Sequence, residues 1–236
     1  MRTLSDTDVL AILESGADRH PLDRALLALA AAFPDLPQDG VADWPLGRRN
    51  KALARLRCSC FGRTFRSWTS CRRCGEKLEF ELDGRMLAGE PAADDDFEGP
   101  IVVEGRSFRL PTSRDLAAAA AKSDPVWTSI RILENCRLDA GDPPAWSAED
   151  LEAVGDGMAQ ADPLAETRLA LNCPSCAAQW EDAFDIASFL WEEIEARARR
   201  IFLEVHTLAS AYGWTETEIL SLRASRRATY LAMVQA

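Results

Sequence analysis

Histidine is nearly absent from this chain of 236 residues: His20 and His206 are all there is. Two imidazoles leave little for catalytic acid and base work, and no Ser-His-Asp order, Walker loop or G-x-G-x-x-G turn is present. Long apolar runs are missing as well. The longest, "ALLALAAAF" at 25–33, falls short of the roughly 20 residues a membrane span needs. With no signal peptide expected ahead of it, the sequence predicts a soluble protein made inside the cell. Positive charge is in deficit: a formal net charge of −11 repels phosphate backbones at long range, so only a local patch could hold nucleic acid. An even complement of cysteines is lacking too. Seven thiols cannot all pair, and 47% hydrophobic residues provide core enough to do without disulfide staples. Reduced thiols or metal ligands are the expectation.

What is present reads as helices interrupted by hairpins. Ser5 with Asp8 forms a capping box, Pro21 opens a second helix, and "PLGRRNKALARLRCSCFG" reads as a third, with Leu46, Leu53 and Leu56 toward the core and Arg49, Lys51 and Arg55 toward solvent. Strand signals begin near Thr64, and Leu78, Phe80 and Leu82 alternate with charged neighbours. An acidic connector at 89–100 precedes a hairpin turning at Glu104-Gly105. Thr112 or Ser113 caps an alanine-rich helix, "VWTSIRILENCRL" continues as another, and Ser147 with Asp150 opens one that Asp162-Pro163 breaks. "ETRLALNC" and "AQWEDAF" form a second cysteine-bearing hairpin, and the longest periodic segment runs from Asp185 to Tyr212. Five regions follow: N-terminal helices (1–62), a first hairpin (63–83), an inserted hairpin with helices (84–164), a second hairpin (165–183) and C-terminal helices (184–236).

The cysteine spacing carries the chemistry. A structural zinc site asks for four tetrahedral ligands, and a C-x-x-C on a hairpin turn delivers two of them. Cys71 with Cys74 is one such pair and Cys173 with Cys176 the other. Together they describe a split zinc ribbon in an α+β, mainly helical fold, with a long inserted segment and a long C-terminal helix. The competing set is Cys58, Cys60, Cys71 and Cys74, which has proximity in its favour. Against it, side chains two apart on a helix diverge by roughly 200°, and Cys173 and Cys176 would be left unused. Cys136 sits on an apolar helix face and reads as a small buried hydrophobe. Four thiolates would fill the metal's shell, which argues against catalysis; Glu192 and Glu193 are the carboxylate pair that spacing alone leaves open. His206, beside the apolar stripe of the long helix, reads as an interfacial core residue.

From Arg48 to Arg73 the chain has nine cations and no acid, with Phe61, Phe65 and Trp68 interleaved. Two readings compete: a nucleic-acid surface on a zinc ribbon, or a face that docks on acidic protein surface, either "ADDDFE" at 93–98 or a partner. The aromatics fit a ribbon core. At the C-terminus, Trp214, Leu220, Arg226, Arg227 and Tyr230 are candidate partner-binding residues. The competing reading is a lid on the protein's own long helix.

The stretch from Leu171 to Val234, beginning "LNCPSCAAQWEDAF", resembles proteins from the tail clusters of contractile phages and phage-tail-like contractile injection systems. That group is related to the baseplate hub proteins of T-even phages. The resemblance extends to "HPLDRALLALAAAF", "DWPLGRRNKAL", "CRRCGEKLEFELD", "FRLPTSRDLAAAA" and "ADPLAETRLALNC". Members carry C-P-x-C-G knuckles, which map onto Cys71, Cys74, Cys173 and Cys176. The chain departs from that pattern at Arg72, where proline is usual, and at Ala177, where glycine is usual; Cys58 and Cys60 match no family ligand. The resemblance implies a non-enzymatic structural component or assembly factor of a baseplate. Its partners would be hub or spike proteins of the same gene cluster, and it would be cytoplasmic during assembly or part of the particle.

Overall fold

The computed structural model describes residues 1–37, 40–89, 99–120, 124–141 and 145–235. It is a mixed α and β fold, mostly helical, with three two-stranded antiparallel sheets among the described residues. No helix among them is long and apolar enough to cross a membrane.

Four helices make the main body: α1 (Asp6–Gly16), α2 (Pro21–Ala32), α3 (Leu46–Phe61) and α8 (Ile186–Tyr212). Their starts are chemically marked. Ser5 and Asp8 close a reciprocal capping box on α1, Pro21 occupies the first turn of α2 behind a His20 cap, and Asp185 caps α8. Leu10, Leu29, Leu53, Leu56, Leu190, Ile194 and Ile201 are buried in one shared core.

Between α3 and α8 the chain makes the first hairpin, β1 (Thr64–Ser70) with β2 (Lys77–Asp83), and a short helix α4 (Arg85–Ala88). An inserted unit follows: β3 (Ile101–Val103), β4 (Arg106–Phe108), α5 (Ser113–Ala119), α6 (Pro125–Cys136) and α7 (Ala148–Ala161). It has a small core of its own around Phe108, Leu133, Cys136 and Val154. Glu104 and Gly105 both take positive φ, as the two-residue turn joining β3 to β4 requires. The second hairpin, β5 (Thr167–Asn172) with β6 (Gln179–Phe184), returns the chain to α8. The expected acidic connector falls largely at 90–98, outside the described residues.

The start of α3 gathers two distant segments, around Ser113 and around Asp162. Pro45 gives this helix no side-chain cap; instead Asp162, from beyond α7, accepts a hydrogen bond from the Gly47 N–H at 2.8 Å. A carboxylate at a helix N-terminus satisfies an orphan donor and meets the positive end of the dipole. The Asn50 amide donates to the carbonyls of Leu164 and Ala165, and the Leu46 N–H donates to Pro111 O. Arg49, which helical spacing alone assigns to solvent, is buried here and donates to Ser113 Oγ at 3.2 Å. A Cβ on Gly47 would lie 1.7 Å from Asp162 Oδ1. Gly47→Ala is therefore expected to lower stability by about 2–4 kcal/mol, from overpacking together with a lost cap, as measured by the denaturant midpoint.

At the other end, α9 (Glu216–Ser221) and α10 (Ala224–Gln235) fold back on α8. Arg227 is only 2% exposed and pairs with Asp6 and Glu204, while Arg197 pairs with Asp6 as well. First, long and last helices are thus joined through one ionic network. Burial alone would raise the Asp6 carboxyl, but hydrogen bonds from Arg197 and Arg227 outweigh it and leave it below the usual range. A depressed folded value contributes stability above the unfolded value near 4, and loses it as pH falls through the folded one. Asp115, which burial would raise but which Arg109 and Thr112 hold down, acts with the same sign. The denaturation midpoint should therefore drop below about pH 4. Asp6→Asn should cost about 1.5–3 kcal/mol at neutral pH and flatten that acid limb.

Candidate metal centre

Cys71 and Cys74 lie on the turn between β1 and β2; Cys173 and Cys176 lie on the turn between β5 and β6. The two turns are built alike. In the first, the Cys71 N–H donates to Glu76 O and the Gly75 N–H to Cys71 O; in the second, the Cys173 N–H donates to Ala178 O and the Ala177 N–H to Cys173 O. Both require a left-handed residue after the second cysteine: Gly75 at φ +75° and Ala177 at φ +56°. Only the latter has a Cβ to strain. Ala177→Gly is expected to raise stability by about 0.5–1 kcal/mol in thermal unfolding, part of the relieved strain being offset by glycine's freedom when unfolded.

The hairpins bring all four sulfurs within 4.8 Å of one another. Cys71 Sγ lies 3.6 Å from Cys176 Sγ, and Cys74 Sγ 3.6 Å from Cys173 Sγ. A tetrahedron with metal–sulfur bonds near 2.3 Å has edges of about 3.8 Å, so these spacings suit one metal ion. Cys71 and Cys173, the first cysteine of each turn, are buried, while Cys74 is exposed. The backbone N–H of Cys74, and after it that of Arg73, bring the Cys71 thiol down to about 6. The Glu76 N–H favours a thiolate on Cys74, but the neighbouring thiols of Cys176, Cys173 and Cys71 push it up to about 12. Four sulfurs so close cannot all carry charge without a cation among them. This is the only group of three or more potential ligands that converges among the described residues.

The structure leaves the remaining thiols apart. Helix α3 stays helical through Phe61, so Cys58 and Cys60 diverge. Cys60 Sγ accepts the Leu4 N–H at 3.3 Å, and Cys58 packs beneath Gly84. Cys136 is fully buried, and burial pushes its thiol up to about 12.

Compared with known proteins, the chain matches no protein-family model, no curated protein and no solved structure. Its function must be read from its own geometry.

Most cations of the 48–73 stretch have partners within the chain. Arg48 stacks over Trp44, Arg55 donates to Ala88 O, Arg57 pairs with Glu193, Arg66 with Glu81, and Arg72 reaches across to Asp182 on the other hairpin. Phe65 is core, as expected for a ribbon, but Trp68 is 66% exposed: it sits on the outer face of β1, with Lys77 Nζ 5.8 Å from its ring centroid. The candidate tail residues divide as well. Arg226 is exposed, while Arg227 is buried in the network above and cannot meet a partner. Trp214 and Tyr230 pack with Tyr212 in one aromatic cluster, and Leu220 is half-buried against the main core. His206 is exposed, not interfacial, because its position on α8 turns away from the helical body. Glu193 is taken by Arg57, which removes half of the carboxylate pair. Sequence reasoning missed Arg57 and Asp162. The available signal for Asp162 was the uncapped start of α3, which demands an acceptor from elsewhere.

Proposed function

We propose that Cys71, Cys74, Cys173 and Cys176 hold a structural Zn²⁺ and that the centre staples two hairpins of a split zinc ribbon. The observation that carries this reading is the convergence of four sulfurs from two similarly built turns. All-sulfur tetrahedral sets select zinc, or iron in sulfur clusters, over hard cations. Four thiolates leave no open coordination position, so the centre supplies shape and not catalysis. Metal analysis of wild type, Cys173→Ser and Cys60→Ser tests the assignment. One zinc per chain is expected in wild type and Cys60→Ser, with none retained by Cys173→Ser under chelator competition. The reverse pattern would return the site to Cys58, Cys60, Cys71 and Cys74.

For the protein as a whole, the reading best supported is a non-enzymatic structural component or assembly factor of a contractile-tail baseplate, resting on the motif resemblance and the net charge of −11. Those motifs have a common structural use: "DWPLGRRN", "LPTSRD" and "ADPLAE" meet at the start of α3. Co-purification with the hub and spike proteins encoded beside it should recover a stable complex; failure with every one of them overturns the assignment. One observation favours a second reading, a nucleic-acid-binding ribbon: exposed Trp68 shares the first hairpin with exposed Arg73 and Lys77. A mobility shift with unrelated DNA and RNA that collapses between low and moderate salt would establish that instead.

A further inference from the structure

Two sulfur contacts of 3.6 Å run between the hairpins, Cys71 to Cys176 and Cys74 to Cys173, in a cluster whose four sulfurs all lie within 4.8 Å of one another. Each turn is fixed by its own pair of backbone hydrogen bonds, so the side chains, not the turns, are what can move. A disulfide needs the sulfurs to close to about 2.05 Å, a shift of about 1.6 Å shared between two side chains. One member of the cluster, Cys74, is exposed, and its partner Cys173 is buried directly behind it.

We infer that the cluster is also a thiol-oxidation site, in which a hydroperoxide converts the four cysteines into two disulfides that cross between the hairpins, Cys74 with Cys173 and Cys71 with Cys176. This oxidation draws on the same convergence as the metal reading but does not require a metal to bind.

The chemistry begins at Cys74, the accessible sulfur. As its thiol gives up its proton, the Cys74 sulfur attacks one oxygen of hydrogen peroxide; the O–O bond breaks, the leaving hydroxide takes up that proton as water, and Cys74 becomes a sulfenic acid. The sulfur of Cys173 then attacks that sulfur and gives up its own proton, the S–S bond forms and the S–O bond breaks, releasing a second water. Two electrons pass from the two sulfurs to one peroxide, and a second peroxide does the same for Cys71 and Cys176. The resulting bonds join residues 99 and 105 apart in sequence. Either form therefore clamps the same two hairpins, one through a metal ion and the other through covalent bonds, whereas disulfides within the turns would clamp neither to the other.

The test uses the whole chain, stripped of metal under reducing conditions, freed of reductant and treated with limiting hydrogen peroxide. Remaining thiols are alkylated before digestion without reduction and mass spectrometry. Peptides joining Cys74 to Cys173 and Cys71 to Cys176 are expected, with Cys58, Cys60 and Cys136 alkylated and the intact mass lighter by two hydrogens per disulfide. In Cys74→Ser only the Cys71–Cys176 link should remain. Links within either turn, or oxidation to sulfinic acid with no cross-link, overturn the inference. Zinc binding by the reduced protein is measured separately. If zinc binds while the links form within the turns, the metal reading stands and the oxidation site falls; if the cross-links form but zinc does not bind, the oxidation site stands and the metal reading falls.

Discussion

A strong chelator added to the reduced protein is expected to melt both hairpins and leave the helical body folded. The reason lies in how unevenly the two parts are packed. Leu53, Leu56, Leu190, Ile194 and Ile201 are fully buried in the helical core and do not depend on the cysteines. Of the inward-facing hairpin side chains, Phe65 is buried, but Leu78, Phe80, Leu169, Leu171 and Trp180 are only half-buried. A two-stranded hairpin is at best marginal by itself, whereas structural zinc in small domains carries an apparent binding free energy of about 10–16 kcal/mol. Amide exchange should therefore rise in residues 64–83 and 167–184 until their opening free energy approaches zero, while central amides of α3 and α8 keep their protection. Cys173→Ser should reproduce this pattern without chelator. Uniform loss of protection would mean that the metal holds up the body too, and no change at all would mean that no metal was holding the hairpins.

The features legible in the sequence are those whose partners lie close along the chain. The capping boxes Ser5/Asp8 and Ser147/Asp150 form within four residues, and both are present. The turn at Glu104-Gly105 is equally local. The cysteine pairs were readable for a different reason: a metal needs four ligands, each turn offers two, and so each pair implies the other. What periodicity misassigned were arginines. A guanidinium on a helix reads as a solvent-facing charge, as Arg49 did, whereas Arg57 was given no face; both are buried, with partners 64 and 136 residues away. Trp68 failed in the opposite sense. It belongs to the outward set of the period-2 alternation, with Thr64, Arg66 and Ser70, and among the described residues that face of the sheet is left exposed.

Arg57 should be the most costly single arginine to remove. Its guanidinium donates to Gly62 O at 2.6 Å and Thr64 O at 2.9 Å, pairs with Glu193, and lies 4.1 Å from the centroid of the Phe65 ring. One side chain thus ties the end of α3 and the start of β1 to α8, fixing where the first hairpin leaves the body. Truncation would orphan two backbone carbonyls and a carboxylate at once. Breaking a buried pair typically costs 3–5 kcal/mol, and Arg57→Ala is expected to lose about that much in denaturant unfolding. Arg57→Lys should recover less than half, because a single ammonium cannot span three acceptors and stack on a ring as the planar fork does. The variant also separates stability from metal affinity. If the first hairpin is aimed by Arg57, Arg57→Lys should weaken zinc retention in chelator competition even at temperatures where the protein remains folded. Unchanged retention would mean that the four cysteines find one another without that alignment.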